Sequence, residues 1–277
     1  MRAGTRLAVT DPHVDFKAIV ITGASSGIGA TLARRLSGPG RVLGLIGRSQ
    51  QRLEAVAAEC TAAGASCRSA SIDIRDTARL RGFLDDFGRD HPIDLLVANA
   101  GILDGRHGDQ VTETGETARR VLEINLLAAV DTVHAVLPAM RRRGSGGIII
   151  VSSLAAFVPL ADAPAYSASK AALVSYAVAL RDAVEGEGVK VMAACPGFVA
   201  TPMADIHLGP RPGEISADEA VTHILEGFRR NKALVGFPLV PFWLSRLSLL
   251  VPEFVRRRGA RGTRFHVASP PPGMAPE

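Results

Sequence analysis

Short apolar runs separated by longer mixed stretches recur along the chain. Ala18-Ile19-Val20-Ile21, Val42 to Ile46, Cys67 to Ile72, Ile93 to Ala98, Ile148 to Val151 and Val189 to Ala194 are each four to six residues long. Most carry no regular polar alternation, so they read as strands covered on both faces. The stretches between them predict helices. One follows the first run through Leu36, and others span Gln50 to Ala63, Thr77 to Phe87, Glu116 to Met140 and Ala217 to Arg230. A further helix carries Tyr166 and Lys170, with Ala171, Ala172, Leu173, Val174, Ala177 and Ala179 behind them. Ala233 to Gly236 reads as a short seventh strand. Strand and helix in strict alternation predict an α/β fold, a doubly wound parallel sheet of about seven strands with helices on both faces.

In such a sheet the ligand sits beyond the carboxyl ends of the strands. The residues with chemistry to offer fall there: the turn Thr22-Gly23-Ala24-Ser25-Ser26-Gly27-Ile28-Gly29 after the first strand, Asn99 after the fourth, Ser153 after the fifth, and Pro196-Gly197 after the sixth. Strand, glycine-rich turn, helix is the setting in which free backbone N–H groups receive a pyrophosphate. At the end of the second strand stands Gly47-Arg48-Ser49, with no acid before Glu54. Arg48 suits a 2′-phosphate better than a free 2′-hydroxyl, which points to NADP ahead of NAD. Tyr166 and Lys170 lie four apart and share a helix face, where an ammonium is expected to pull the phenol below its usual pKa. Of the neighbours Ser152 and Ser153, a strand aims only one at the site. Ser153, thirteen residues before Tyr166, is preferred, with Ser152 as the alternative.

At 277 residues and 47% hydrophobic, the chain suits one large domain with a sizeable core. Cys60, Cys67 and Cys195 have no ligand-like spacing, so reduced thiols and no metal are expected, in a cytoplasmic protein without a secretory leader. The net charge of +5 is mostly a matter of the tail. From Pro241 onward six arginines oppose two acids, which leaves only +1 for the first 240 residues. Nucleic acid is therefore not an expected partner.

The motifs, in order, resemble those of the short-chain dehydrogenase/reductase family over about residues 16–237. Thr22 to Gly29 resembles its cofactor turn, with Gly23, Ser25, Ser26, Gly27, Ile28 and Gly29 at the cofactor, and Asp73-Ile74 resembles the segment beside the adenine. Ala98-Asn99-Ala100-Gly101 is similar to its Asn-Asn-Ala-Gly motif, with alanine in the first place. Asn125 resembles its helical asparagine, and Ser153, Tyr166 and Lys170 its catalytic trio. Pro196-Gly197, Val199 and Thr201 resemble the loop at the nicotinamide. The resemblance implies a Rossmann-type fold and an NADP-preferring oxidoreductase with NAD as the second choice. It also implies Tyr166 as acid and base, Ser153 holding the substrate oxygen, and Asn125 holding a water that leads to Lys170. A homodimer or homotetramer built through the long helices is the implied assembly. A non-catalytic NADP-binding scaffold is the rival reading, although it has no need of all four of Asn125, Ser153, Tyr166 and Lys170.

Leu154 to Pro164, Phe198 and a lid over Met203 to Ile215 are the expected pocket walls. Phe157, Leu160, Phe198 and Met203 favour an uncharged, apolar carbonyl or alcohol, with Arg211 and His207 as the polar exceptions. Three segments are expected: a loose arm over 1–15, the cofactor-binding domain over 16–240, and an extension over 241–277. The apolar stretch from Phe237 to Val255 is broken by Arg246, Glu253 and prolines, so it reads as a pocket cover, a subunit interface or a peripheral membrane contact rather than a span.

Overall fold

The computed structural model of the chain describes residues 16–248 and 265–267, so the predicted arm at 1–15 and the proline-bearing end lie outside the described residues. The first strands are β1 (Ala18–Thr22), β2 (Val42–Gly47), β3 (Ser66–Ser71), β4 (Leu95–Ala98), β5 (Gly146–Val151) and β6 (Val189–Pro196). After a two-residue β7 (His207–Leu208) comes β8 (Leu234–Phe237). All except β7 join one seven-stranded sheet in the order β3-β2-β1-β4-β5-β6-β8. Every pairing in it is parallel. The crossovers are α1 (Gly27–Leu36), α2 (Gln50–Ala62), α3 (Thr77–Asp90), the pair α4 (Gly115–Leu122) and α5 (Ala128–Arg143), α6 (Pro164–Ala183) and α8 (Ala217–Arg229). A single-turn α7 (Pro202–Asp205) precedes β7. The predicted strands are present with their ends shifted by a residue or two, the seventh at Leu234–Phe237 rather than Ala233 to Gly236.

The apolar runs are explained by two cores, one on each face. In β1, Ala18 and Val20 turn toward α3, α5 and α6, where Phe87, Val133 and Leu173 are buried. Ile19 and Ile21 turn the other way, toward Leu32 of α1, Leu53 of α2 and Phe228 of α8. A strand with both faces inward gains about 1.5–3 kcal/mol for each large side chain it buries, so polar residues are excluded from it. Asp94 anchors the start of the sheet: its Oδ2 accepts from the Lys17 and Ala18 N–H groups, both at 3.0 Å. Because β1 lies between β2 and β4, the winding reverses there, and a crevice opens at the carboxyl ends of β1 and β4.

Two features depart from the predicted pattern. The helix expected over Glu116 to Met140 runs from Gly115 to Arg143, but residues Glu123–Leu127 within it are π-helical. By length and composition it is apolar enough to cross a membrane, yet half of its most apolar window is buried inside the fold. Beyond β8, α9 (Leu239–Ser248) straddles the expected domain edge at 240, and β9 (His266–Val267) pairs antiparallel with β7. The described parts of the extension are thus packed onto the domain.

Candidate active site

The site begins at the last residue of β1. Thr22 Oγ1 accepts from the Asn99 and Ala100 N–H groups, both at 3.0 Å, and donates to Val97 O at 3.4 Å. The Asn99 amide donates to Thr22 O at 3.0 Å and Gly23 O at 3.3 Å. The end of β4 is thereby clamped to the glycine turn, so Asn99 serves as its brace. Gly23 and Gly27 take positive φ values of 66° and 54°, which cost little only without a Cβ. A Cβ on Gly29 would sit 2.2 Å from Gly23 O, and one on Gly27 would sit 3.1 Å from Thr201 Cγ2. The turn therefore lies directly against the loop after β6. Ser25 Oγ closes the other side, 3.2 Å from where a Gly47 Cβ would project.

Helix capping separates α1 from α2, α3, α4, α7 and α8. Ser49, Asp76, Thr114, Thr201 and Ser216 each accept from a first-turn N–H of the helix they precede. Ser26, before α1, makes no such bond. The first N–H groups of α1 are left for an anion, and the glycine cradle in front of them fits a pyrophosphate. Arg48, exposed at the end of β2, lies near Asp73 at the end of β3. Asp73 is gripped by Arg75 in a side-chain pair of 2.6 Å that holds its carboxyl below the usual range, with Arg48 adding a smaller pull. Ile74 beside it is buried and Ile28 packs into the α1 core, so both shape the crevice through their backbones. The Pro196-Gly197 corner is fixed by Gly197 N–H to Phe237 O at 2.8 Å, Val199 bridges to Ile215, and Thr201 caps α7.

Opposite this crevice, the end of β5 sends its two serines to different sides. Ser152 is buried and donates to Lys170 O at 2.7 Å, which ties β5 to α6. Ser153 faces the crevice, accepts from Ala155 N–H at 3.1 Å and hydrogen-bonds the Tyr166 side chain. Pro164 starts α6, and Glu113 Oε1 accepts from Ala165 N–H at 2.7 Å in place of a local cap. One turn on, Lys170 donates through Nζ to Val151 O at 3.2 Å, with Nζ 5.6 Å from the Tyr166 ring centroid. Asn125 projects from the π-helical turn. It accepts from Ile102 N–H at 2.8 Å and donates to Ile102 O at 2.9 Å and to Ser169 Oγ at 3.3 Å. A Cβ on Gly101 would lie 3.1 Å from Asn125 Oδ1 and 3.5 Å from Lys170 Nζ, so these two groups flank the same glycine.

The expected direction of the Tyr166 shift is reversed. Burial raises the phenol above its ordinary value, and the hydrogen bond from Ser153 offsets only part of that. Lys170 is itself buried and pulled down to about 8, because desolvation penalises its charge as well. With the ammonium buried and the ring partly so, desolvation outweighs a cation on one side of the ring. Burial also pushes the Cys60 and Cys195 thiols up to about 12, which leaves them unreactive. Among the described residues no group of three or more His, Cys, Asp or Glu is placed to hold a metal.

The expected walls separate into two groups. Leu160 and Ile206 pack against the same apolar cluster as Tyr166, whereas Phe157 turns away to meet Phe242 of α9 at 5.9 Å between ring centroids. On the lid, Arg211 pairs with Glu214 at 2.9 Å and Asp205 at 3.5 Å. Sequence reasoning passed over Glu113, Asp162 and Phe265, and placed Thr22 only as the first residue of the cofactor turn. Only Thr22 carries a local signal, as a polar residue ending an apolar strand; the others act across long separations in sequence.

The chain matches the short chain dehydrogenase family profile over residues 17–207. An uncharacterised oxidoreductase of Myxococcus xanthus is 33% identical over 256 residues, covering 91% of this chain and 99% of that protein. A 3-dehydrosphinganine reductase of Arabidopsis thaliana is 31% identical over 255 residues, 87% of this chain and 75% of the relative. Among solved structures, a short-chain dehydrogenase from Sphingobium yanoikuyae in complex with NADPH superposes with a TM-score of 0.73 at 27% identity, covering 94% of this chain and 99% of that one.

Proposed function

The chain belongs to the short-chain dehydrogenase family, and from that membership we propose an NADP(H)-preferring oxidoreductase that interconverts an alcohol and its ketone or aldehyde. The observation that carries the reading is the Tyr166 phenol, hydrogen-bonded to Ser153 and one helical turn from Lys170, on the same sheet edge as the glycine cradle. When bound, the nicotinamide supplies hydride to the carbonyl carbon or takes it back. Ser153 positions the substrate oxygen, and Tyr166 gives that oxygen its proton in reduction and removes it in oxidation. Burial holds the phenol above its ordinary pKa, so in the cofactor-free protein Tyr166 carries the proton it would donate. Lys170 lies beside the ring, and Asn125 is a positioning residue that braces Ile102 against α6.

Arg48 at the end of β2, together with the NADPH bound in the Sphingobium relative, supports NADP ahead of NAD. An uncharged, apolar substrate is supported by Leu160 and Ile206, which share an apolar cluster with Tyr166, and by Arg211 being occupied with two acids. The test is incubation with NADPH or NADH and a panel of apolar ketones and aldehydes, following loss of the reduced cofactor. Turnover with NADPH is expected; tight cofactor binding without turnover on any member would favour the scaffold reading instead. In the same assay Arg48→Ala is expected to weaken NADPH by about 10–100-fold, the worth of a charged hydrogen bond, while sparing NADH. An unchanged NADPH affinity would remove the 2′-phosphate role.

We further propose a cytoplasmic homodimer or homotetramer, supported by exposed Leu127 and Val178 on the outer sides of the long helices, and peripheral contact with anionic lipid. Helix α9 docks through Phe242 and Ser245 and turns Leu239, Val240, Trp243, Leu244 and Leu247 to solvent, each more than half exposed. These five cover one arc of the helix, and Arg256, Arg257 and Arg258 follow in the sequence. Trp243 is the single tryptophan, so its emission reports contact directly. A blue shift with anionic vesicles at low salt, reversed by added salt, is expected. An emission spectrum indifferent to vesicles would eliminate the lipid contact.

A further inference from the structure

Residues 265–267 come from the far end of a basic, glycine-bearing stretch with no helical or strand period, yet they are the best anchored part of the described extension. Val267 and His266 pair with His207 and Leu208 of the lid. Asp162, only 1% exposed, accepts from Phe265 N–H through Oδ2 at 3.0 Å and from Arg106 Nε through Oδ1 at 2.8 Å. Arg106 donates to Phe265 O at 3.3 Å and contacts His266 Nε2 at 3.1 Å, while Val267 N–H donates to Arg106 O at 3.2 Å. A buried ion pair is costly unless its remaining hydrogen-bonding capacity is used. Here much of that capacity is spent on holding three tail residues. Segments near chain ends fray unless tied down, and residues 265–267 are tied by backbone and side chain together.

The tie places a ring in the apolar cluster that Tyr166 packs against. Phe265 is 1% exposed and stacks on His207 at 4.1 Å between centroids, and His207 in turn meets Phe198 edge-on at 4.9 Å. Gly209 permits the approach, since a Cβ there would fall 2.7 Å from Phe265 Cβ. Phe265, Val267 and Ala163 form one apolar cluster, and Tyr166, Leu103, Leu160 and Ile206 pack against it. Asp162 stands four residues before Tyr166, so the latch and the phenol are carried by the same entry into α6.

We infer that residues 265–267 form a latch over the substrate side of the site, and that Phe265 is a specificity-determining wall limiting the bulk of the substituent next to Tyr166. The inference rests on the oxidoreductase reading for its substrate, but the latch itself can be read without turnover. With the ring in place, a carbonyl bearing one small substituent is admitted and one bearing two bulky groups is excluded. Removing the ring opens that side to both substrate and water.

Tyr166 and Tyr176 are the only tyrosines in the chain, so in a Tyr176→Phe background tyrosinate absorbance reports Tyr166 alone. Phe265→Ala in that background is expected to bring the Tyr166 titration down toward the ordinary value of about 10 as water reaches the phenol. Phe265→Leu, which keeps the site filled and guards against misfolding, is expected to shift it in the same direction by less. Titration unchanged in both variants overturns the latch. For the wall, the ratio of kcat/KM for a diaryl ketone to that for an aryl methyl ketone is expected to rise about tenfold in Phe265→Ala, the scale at which pocket contacts discriminate. A ratio unchanged while both ketones turn over overturns the wall. Absence of turnover in the unsubstituted protein would count against the oxidoreductase reading and the wall, and would leave the titration to decide the latch.

Discussion

Replacing Lys170 with methionine is expected to cut turnover by about 10²–10⁴-fold, the usual worth of an acid–base apparatus, and at the same time to make the cofactor-free protein more stable. Burial pulls the Lys170 ammonium from 10.5 down to about 8. Below about 8 both native and unfolded chains hold that proton, and the native state bears the full cost of keeping a charge dry. Between about 8 and 10.5 the unfolded chain still holds a proton that the native state has shed, so stability rises with pH across that window. A displacement of this size corresponds to about 3 kcal/mol, reduced in the variant by leaving Val151 O without its donor. For a chain of this length a gain on the order of 5 °C in Tm follows at neutral pH. The advantage should shrink toward pH 10, where the unsubstituted protein no longer carries the charge. Tyr166→Phe should lose turnover without this gain. Thermal melts of all three across pH 6 to 10 test the claim, and a methionine variant that melts lower at pH 7 would refute it.

Gly29→Ala is expected to raise the NADPH dissociation constant at least 100-fold, about 3 kcal/mol. Two of the three atoms nearest the new Cβ belong to the Gly23 backbone, with the oxygen at 2.2 Å, and the third is Asn99 Nδ2 at 2.6 Å. The backbone cannot step aside as a long side chain can. The turn must open, and opening it pulls Gly23 away from the amide that holds β4 to β1. Overpacking of this kind also costs about 1–3 kcal/mol of stability. Gly82 in α3 is the matched control, because a Cβ there meets nothing within 4 Å. Its replacement by alanine should leave NADPH binding intact and add up to about 1 kcal/mol from helix propensity. Titration calorimetry with NADPH separates the two, and equal affinities in both variants would show that the cradle does not receive the cofactor.

The parallel sheet was legible because it must be buried on both faces. Ile19 and Ile21 serve one core and Val20 the other, so the run cannot afford a polar residue and stands out in the sequence. The glycine turn, Asn99, Ser153 and Pro196-Gly197 followed from the same logic, since each falls at the carboxyl end of a strand. Effects that depend on distant partners were not legible. Arg106 and Asp162 are 56 residues apart and Asp162 and Phe265 are 103 apart, and no local spacing connects them. Helix α9 hides behind Pro241 and an apolar face that points outward, the reverse of the usual pattern. The direction of the Tyr166 shift failed for a different reason. Spacing reveals a neighbouring charge but not how little water the pair retains.

The π-helical turn at Glu123–Leu127 has a consequence for how the chain tolerates length changes. Its extra residue acts as a phase shifter: it offsets the helix after it by about 100° relative to an uninterrupted α-helix. Val121 before the turn and Val133, Val136 and Met140 after it all reach the interior with that offset included. Excising Leu126 would let the turn relax to plain α-helix while Val121 and Val133 stay on one face, so both halves keep their apolar sides inward and only the bulge that aims Asn125 is lost. A one-residue deletion there should cost the fold less than one within α5, where nothing absorbs the step of about 100°, although both remove a single peptide unit.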